Sequence, residues 1–142
     1  MKHRLKIFPA ARDGAIAVEF AIIAPLFLMI VFGIVMYGSY LSVVHGVQQL
    51  AAEAARSSVA GLNEGERSSL ANSYVTGNVN TYPLIDPAKL TVNAATSVSD
   101  ANVFVVSVNY DASGMFIYSL PTFVPAPSST IVRSAAIPRG GY

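Results

Sequence analysis

The sequence predicts an α+β protein: one long N-terminal helix, a short second helix, and a small three-stranded antiparallel sheet packed on the outer half of the long helix. Three observations predict it. No Asp, Glu, Lys or Arg stands between Glu19 and Glu53. Apolar and small residues keep a helical spacing beyond the membrane-like part of that run. Further on, two segments alternate apolar with polar residues on either side of a turn-rich junction.

The first element is the long helix. The 142-residue chain has room for one domain, and its mean hydropathy of +0.50 with 12% charged residues is apolar for a soluble one. The excess is concentrated in Phe20 to Val44, which is almost wholly apolar or small. About 20 such residues cross a hydrocarbon core, so residues 15–44 are expected to form a transmembrane helix. A conventional cleaved secretory signal fits poorly, because its apolar stretch is about 7–15 residues and a small-x-small site would close it; here "GSYLSVVHG" simply carries the helix on. Val44, Val47, Ala51, Ala54, Ala55 and Ser58 recur at helical spacing, with Gln48, Gln49, Glu53 and Arg56 between them. Residues 45–61 therefore read as an amphipathic stem, with Gly61 as C-cap. From Ala15 to Ala60 such a helix would run roughly 69 Å at 1.5 Å per residue.

Charge orients it. Residues 1–14 carry Lys2, Arg4, Lys6 and Arg12 against Asp13, and the remainder is slightly acidic. Basic residues before a span stay on the cytoplasmic side. Residues 1–14 are thus a basic cytoplasmic leader, and residues 62–142 an extracytoplasmic head. The chain has no cysteine, so no disulfide staples that head.

Within the head, Asn63 with Glu66 three residues on gives a capping signal for a second helix, with Leu70 and Tyr74 on one face. Gly77 and "GNVNTYP" are expected to end it. "LTVNAATSV" places Leu90, Val92, Ala94 and Val98 on one side, and "VFVVSVNY" does the same with Phe104, Val106, Val108 and Tyr110. "SDAN" (99–102) joins them as a hairpin, and "TIVRSAAI" (130–137) supplies a weaker third strand. Between them "MFIYSLPTFVP" (115–125) crowds seven large apolar residues, including Phe123, beside prolines that forbid a strand interior. It reads as a small second core, or else as a surface for another protein or for the membrane.

The chemistry-bearing residues are few. A carboxylate, Glu19, stands at the start of the span, where insertion at a helix centre would cost about 2.5–3.5 kcal/mol. Taken alone it could snorkel to the headgroups. Gly14 stands five residues before it, and a missing Cβ lets another protein draw the backbone close. Pro25 leaves the carbonyl of Ala21 without its helical partner, which reads equally as a tolerated kink or a hinge. Ala17 with Ala21, and Ala51 with Ala55, form small-xxx-small pairs that suit helix contacts or plain helix propensity. His3 and His45 are isolated. Asp86, Asp100 and Asp111 sit in turn-like contexts, where Asp is common. No phosphate loop, metal-ligand spacing or nucleophile motif occurs, so neither enzyme activity nor a cofactor is expected. The acidic remainder argues against nucleic acid.

Basic leader, Gly14, Glu19 and charge-free span together resemble a type IV prepilin. "GAIAVEFAIIAPLFLMIVFGIVMYG" followed by "LAAEAARSSVAG" resembles, more closely, the TadE-like family of tight-adherence (Tad) pili, through Val18-Glu19-Phe20, Pro25 and the stem Ala51 to Arg56. The resemblance implies a pilin-like fold and a minor pilin or pseudopilin contributing to pilus assembly, adhesion and biofilm. It implies cleavage by a prepilin peptidase between Gly14 and Ala15, which would make Glu19 the fifth mature residue, with Glu19 and Phe20 setting the register between subunits. It implies a single pass through a bacterial inner membrane, packing with other pilins through an N-terminal helix bundle, and service by an assembly platform, an ATPase and a secretin. Ala15 departs from the Phe or Met that many pilins carry first. A permanently anchored envelope protein with a partner-binding outer domain, or a type II secretion pseudopilin, would share much of this layout.

Overall fold

The computed structural model describes residues 12–121 and 124–139, with side chains from Gly14 onward. Helix α1 spans Arg12–Ser57 and runs unbroken through Pro25. The chain divides into two compact units at Val35/Met36. In the first unit the described residues are the opening part of α1 alone. Ile16, Phe20, Ile23, Phe27 and Ile30 all point to its surroundings, each more than half exposed. A helix apolar all round has no soluble face, and α1 is long and apolar enough to cross a membrane.

The second unit is the α+β head. Here α1 acquires a covered face: Val43, Val47, Leu50, Ala51, Ala54 and Ala55 are fully buried, at the i, i+4, i+7 and i+8 spacing of one helical stripe. Ala51 and Ala55, one of the two small-residue pairs, are thus spent on closing the head's own core, while Ala17 and Ala21 are exposed. Helix α1 ends at Ser57 rather than at Gly61. A 3-10 turn, Ser58–Ala60, follows, and Gly61 donates its N–H to the Ser58 carbonyl. Gly61 is in extended backbone, so its lack of a side chain matters for space: a Cβ would lie 2.7 Å from the Arg67 nitrogen and 2.9 Å from its Cα.

Helix α2 spans Glu64–Asn78. Asn63 caps it by accepting from the Glu66 N–H at 2.9 Å, and the Glu66 carboxylate accepts from the Leu62 N–H at 2.8 Å. The reciprocal bond therefore lands one residue before the expected one. The buried face is Arg67, Ala71 and Val75, with Leu70 and Tyr74 only flanking it. Gly77 does not end the helix, which carries on to Asn78 and into a 3-10 turn, Val79–Thr81. The chain then returns across α1 at Gly46, where a Cβ would meet the Ile85 side chain at 2.9 Å.

Strands β1 (Leu90–Thr96), β2 (Val103–Asp111) and β3 (Thr130–Pro138) form an antiparallel sheet in chain order, with β2 central. Phe104 pairs with Thr96 and Ile137, and Val106 with Ala94 and Ala135. That register puts Phe104, Val106, Val108 and Tyr110 on one face, and all four are buried in one cluster with the α1 stripe and with Ala71 and Val75 of α2. β1 stops at Thr96, and Val98 is fully exposed beyond it instead of continuing the apolar face. The 115–125 segment is divided. Ile117 is buried, Met115 and Tyr118 pack against the main core, and Phe116 is 70% exposed; Phe123 lies outside the described residues.

Candidate assembly site on the N-terminal helix

Gly14, Ala15, Glu19, Phe20 and Pro25, the residues tied to processing, register and the kink, all lie in the part of α1 from its described start to Pro25. Gly14 and Ala15 lie at the start of the described part of α1, and glycine is about 1 kcal/mol poorer than alanine in a helix interior. A Cβ built on Gly14 would meet nothing within 4 Å. Packing within the described residues therefore places no demand for glycine there, in contrast to Gly46 and Gly61.

Glu19 lies four residues beyond Ala15. The two share one face of α1, separated by about 6 Å of rise. Glu19 is exposed, as are Val18 and Phe20 beside it. Among the described residues, the one ion pair is Arg56 with Glu53 at 3.8 Å, at the other end of the helix. Pro25 is also exposed, and the helix continues past it without a break. Gly14, Ala15, Glu19, Phe20 and Pro25 are thus gathered on one short helical segment, and each is exposed among the described residues.

Elsewhere the molecule offers little for chemistry. Among the described residues no three His, Cys, Asp or Glu side chains converge as a metal site would require. An open groove of about 310 Å³ lies between α2 and β1, flanked by Asn72, Thr76 and Asn80 over Val75, Leu90 and Val92. A second hollow, about 240 Å³, lies on the outer face of the sheet around Asn93, Thr96 and Ser107. Neither is lined by an acid or a base. The carboxylates with displaced titration are structural: the Thr96 N–H and hydroxyl hold Glu64 below the usual glutamate range, and Ser113 holds Asp111 low.

Two polar arrangements escape the sequence reading. Arg67 is buried, donating from Nε to the Gly61 carbonyl at 3.0 Å and from Nη2 to the Arg139 carbonyl at 3.0 Å. It ties the α1–α2 corner to the end of β3. Helical periodicity puts it on the same stripe as Ala71 and Val75, but an arginine there reads as a solvent residue until its two carbonyl partners are known. The other is a set of tyrosines. Tyr37 donates to the Pro125 carbonyl, Tyr40 to that of Ser128 at 3.0 Å, and Tyr118 to the same Ser128 carbonyl at 2.7 Å. Aromatics at the end of an apolar run are a legible signal of a membrane boundary; that they would hold a loop 88 residues away is not.

Residues 14–56 match the model of a family described as TadE-like protein. The match begins at Gly14 and closes on Arg56, within the last turn of α1. No curated protein and no solved structure matches the chain.

Proposed function

From a helix that is TadE-like over residues 14–56, we propose that the chain is a minor pilin or pseudopilin of a Tad-type pilus apparatus. Its part is structural and not catalytic. The observation that carries the proposal is the family match itself, which starts at Gly14 and takes in Glu19 five residues on; the described packing makes no demand for glycine at that first position. A peptidase that must approach the backbone does have a use for it.

On this reading a prepilin peptidase cuts between Gly14 and Ala15, with the basic leader left on the cytoplasmic side. The new α-amino group of Ala15 then lies one helical turn from Glu19 on the same face. A cation and a carboxylate so placed in low dielectric attract strongly, and two adjacent copies can exchange partners: the amino group of one faces the Glu19 of the next. Exchange neutralises both charges at a single axial stagger, so the pair fixes register. The exposed apolar surface from Ile16 to Val35 is the bundle surface that other pilin helices would cover. Platform, ATPase and secretin act on the chain as the Tad machinery's general parts, and the head faces the periplasm or the exterior.

N-terminal sequencing of the protein from purified membranes tests this. A mature chain beginning at Ala15, dependent on a prepilin peptidase, is expected. A chain that keeps residues 1–14 overturns the processing step and leaves a permanently anchored envelope protein.

A further inference from the structure

We infer that the loop between β2 and β3 is a second membrane contact: its segment 124–127 lies in the interfacial zone of the leaflet on the head's side. This rests on α1 crossing the membrane and not on the pilus reading.

The level of the loop follows from its ties. About 20 residues cross the hydrocarbon core; counted from Phe20, the first residue past the Glu19 charge, the core-crossing part of the 15–44 span ends near Ser39. Tyr37 and Tyr40 stand there, as interfacial tyrosines do. Their hydroxyls donate to the carbonyls of Pro125 and Ser128, so the loop is held at the tyrosines' own depth.

The loop's composition suits that depth. From Met115 to Pro127 there is no charged side chain. Backbone polar groups near lipid must be satisfied within the protein. Pro121, Pro125 and Pro127 have no N–H to satisfy. The Pro121 carbonyl accepts from the Val124 N–H at 2.9 Å, and the tyrosines take those of Pro125 and Ser128. Pro125 and Ala126 are exposed, and their side chains are hydrocarbon. The β1–β2 turn, at the other end of the sheet, lacks these features. It carries Asp100 and is joined through Arg139 and Arg67 to Gly61, about 30 Å along the chain's helical direction from Tyr40 at 1.5 Å per residue.

The chain has no tryptophan, so single tryptophans can report depth. Three full-length variants, Phe27→Trp in the span, Ala126→Trp in the loop and Val98→Trp in the distant turn, are placed in phosphatidylcholine vesicles with or without acyl-chain bromines. Emission from the loop variant should fall in the brominated vesicles, as for a side chain buried about 5–10 Å into the headgroup–acyl boundary. The span variant should be quenched more strongly, and the turn variant should not change. Quenching in the span variant with none in the loop variant overturns the loop contact while α1 still spans. Absence of quenching in the span variant removes the premise, and the proposal with it. A loop tryptophan that is shielded only at high protein-to-lipid ratio, and is insensitive to bromine, assigns the loop to a second copy of the chain and also overturns the proposal.

Discussion

Glu19 and Gly61 show two opposite reasons for an unusual residue. Glu19 is exposed, with no ion-pair partner among the described residues, and on the reading proposed above its partner is another copy of the chain. Replacing Glu19 with Leu removes a carboxylate whose insertion would cost about 2.5–3.5 kcal/mol at a helix centre and costs less at the start of a span. Glu19→Leu should therefore enter the membrane at least as well as wild type, yet be missing from sheared pili when both fractions are blotted. Equal amounts in the pili would leave snorkelling as the account of Glu19. Gly61 is the reverse, a glycine required by its own chain. Gly61→Ala drives a Cβ against the Arg67 backbone, and such overpacking costs about 1–3 kcal/mol. The denaturant midpoint of the head should drop with an unchanged m value. The sequence marks both residues, but Gly61 reads there as a cap, because a close approach six residues ahead leaves no local pattern.

The elements are legible where periodicity is strong. All three strands and both helices stand where their patterns put them, because one buried face imposes a period of 2.0 or 3.6 on each. What fails is local. Val98 continues the alternation of β1 on paper, but the turn at 97–102 carries it off the sheet. Gly77 reads as a stop, yet Val75 and Val79 are buried on either side of it, and tertiary contact outweighs a propensity of about 1 kcal/mol. The contact between α2 and β1 is invisible, since nothing in "NEGERSS" announces Thr96. There Glu64 accepts from the Thr96 N–H at 3.1 Å and its hydroxyl at 2.9 Å, which favours the ionised carboxyl. Its pKa is lowered in the folded state. The contact should thus contribute stability above the ordinary glutamate value of about 4.3 and lose it as the pH falls through the lowered one. Thermal melts of wild type and Glu64→Gln should differ at neutral pH and converge in acid. A constant difference across that range would show that the carboxylate charge is not what matters.

At the scale of the molecule, the head and the C-terminal part of α1 share a core. Val43 is fully buried, and Tyr40 and Val44 pack against the same cluster. A soluble head cut at residue 46, where the span reads as finished by hydropathy alone, would lose these. A fragment of residues 36–142 should melt well above one of residues 46–142, since burial of a Val side chain alone is worth about 1.5–3 kcal/mol. Matching midpoints would mean that the first turns of this stripe add nothing. Within the shared core, Phe104→Ala should cost about 3–5 kcal/mol and leave little folded head by circular dichroism. Sharing a core in this way also orders events in time. Ribosomes deliver α1 first, then α2, then three strands whose spatial order is their chain order. Each arriving segment finds its docking partner already made, and no earlier strand has to wait for a later one to be threaded beneath it. Until Thr130–Pro138 emerges, however, one edge of β2 is bare, and a bare central strand invites pairing with another chain. The vulnerable interval in biogenesis is therefore the one in which β2 has emerged and β3, separated from it by residues 112–129, has not yet closed the sheet.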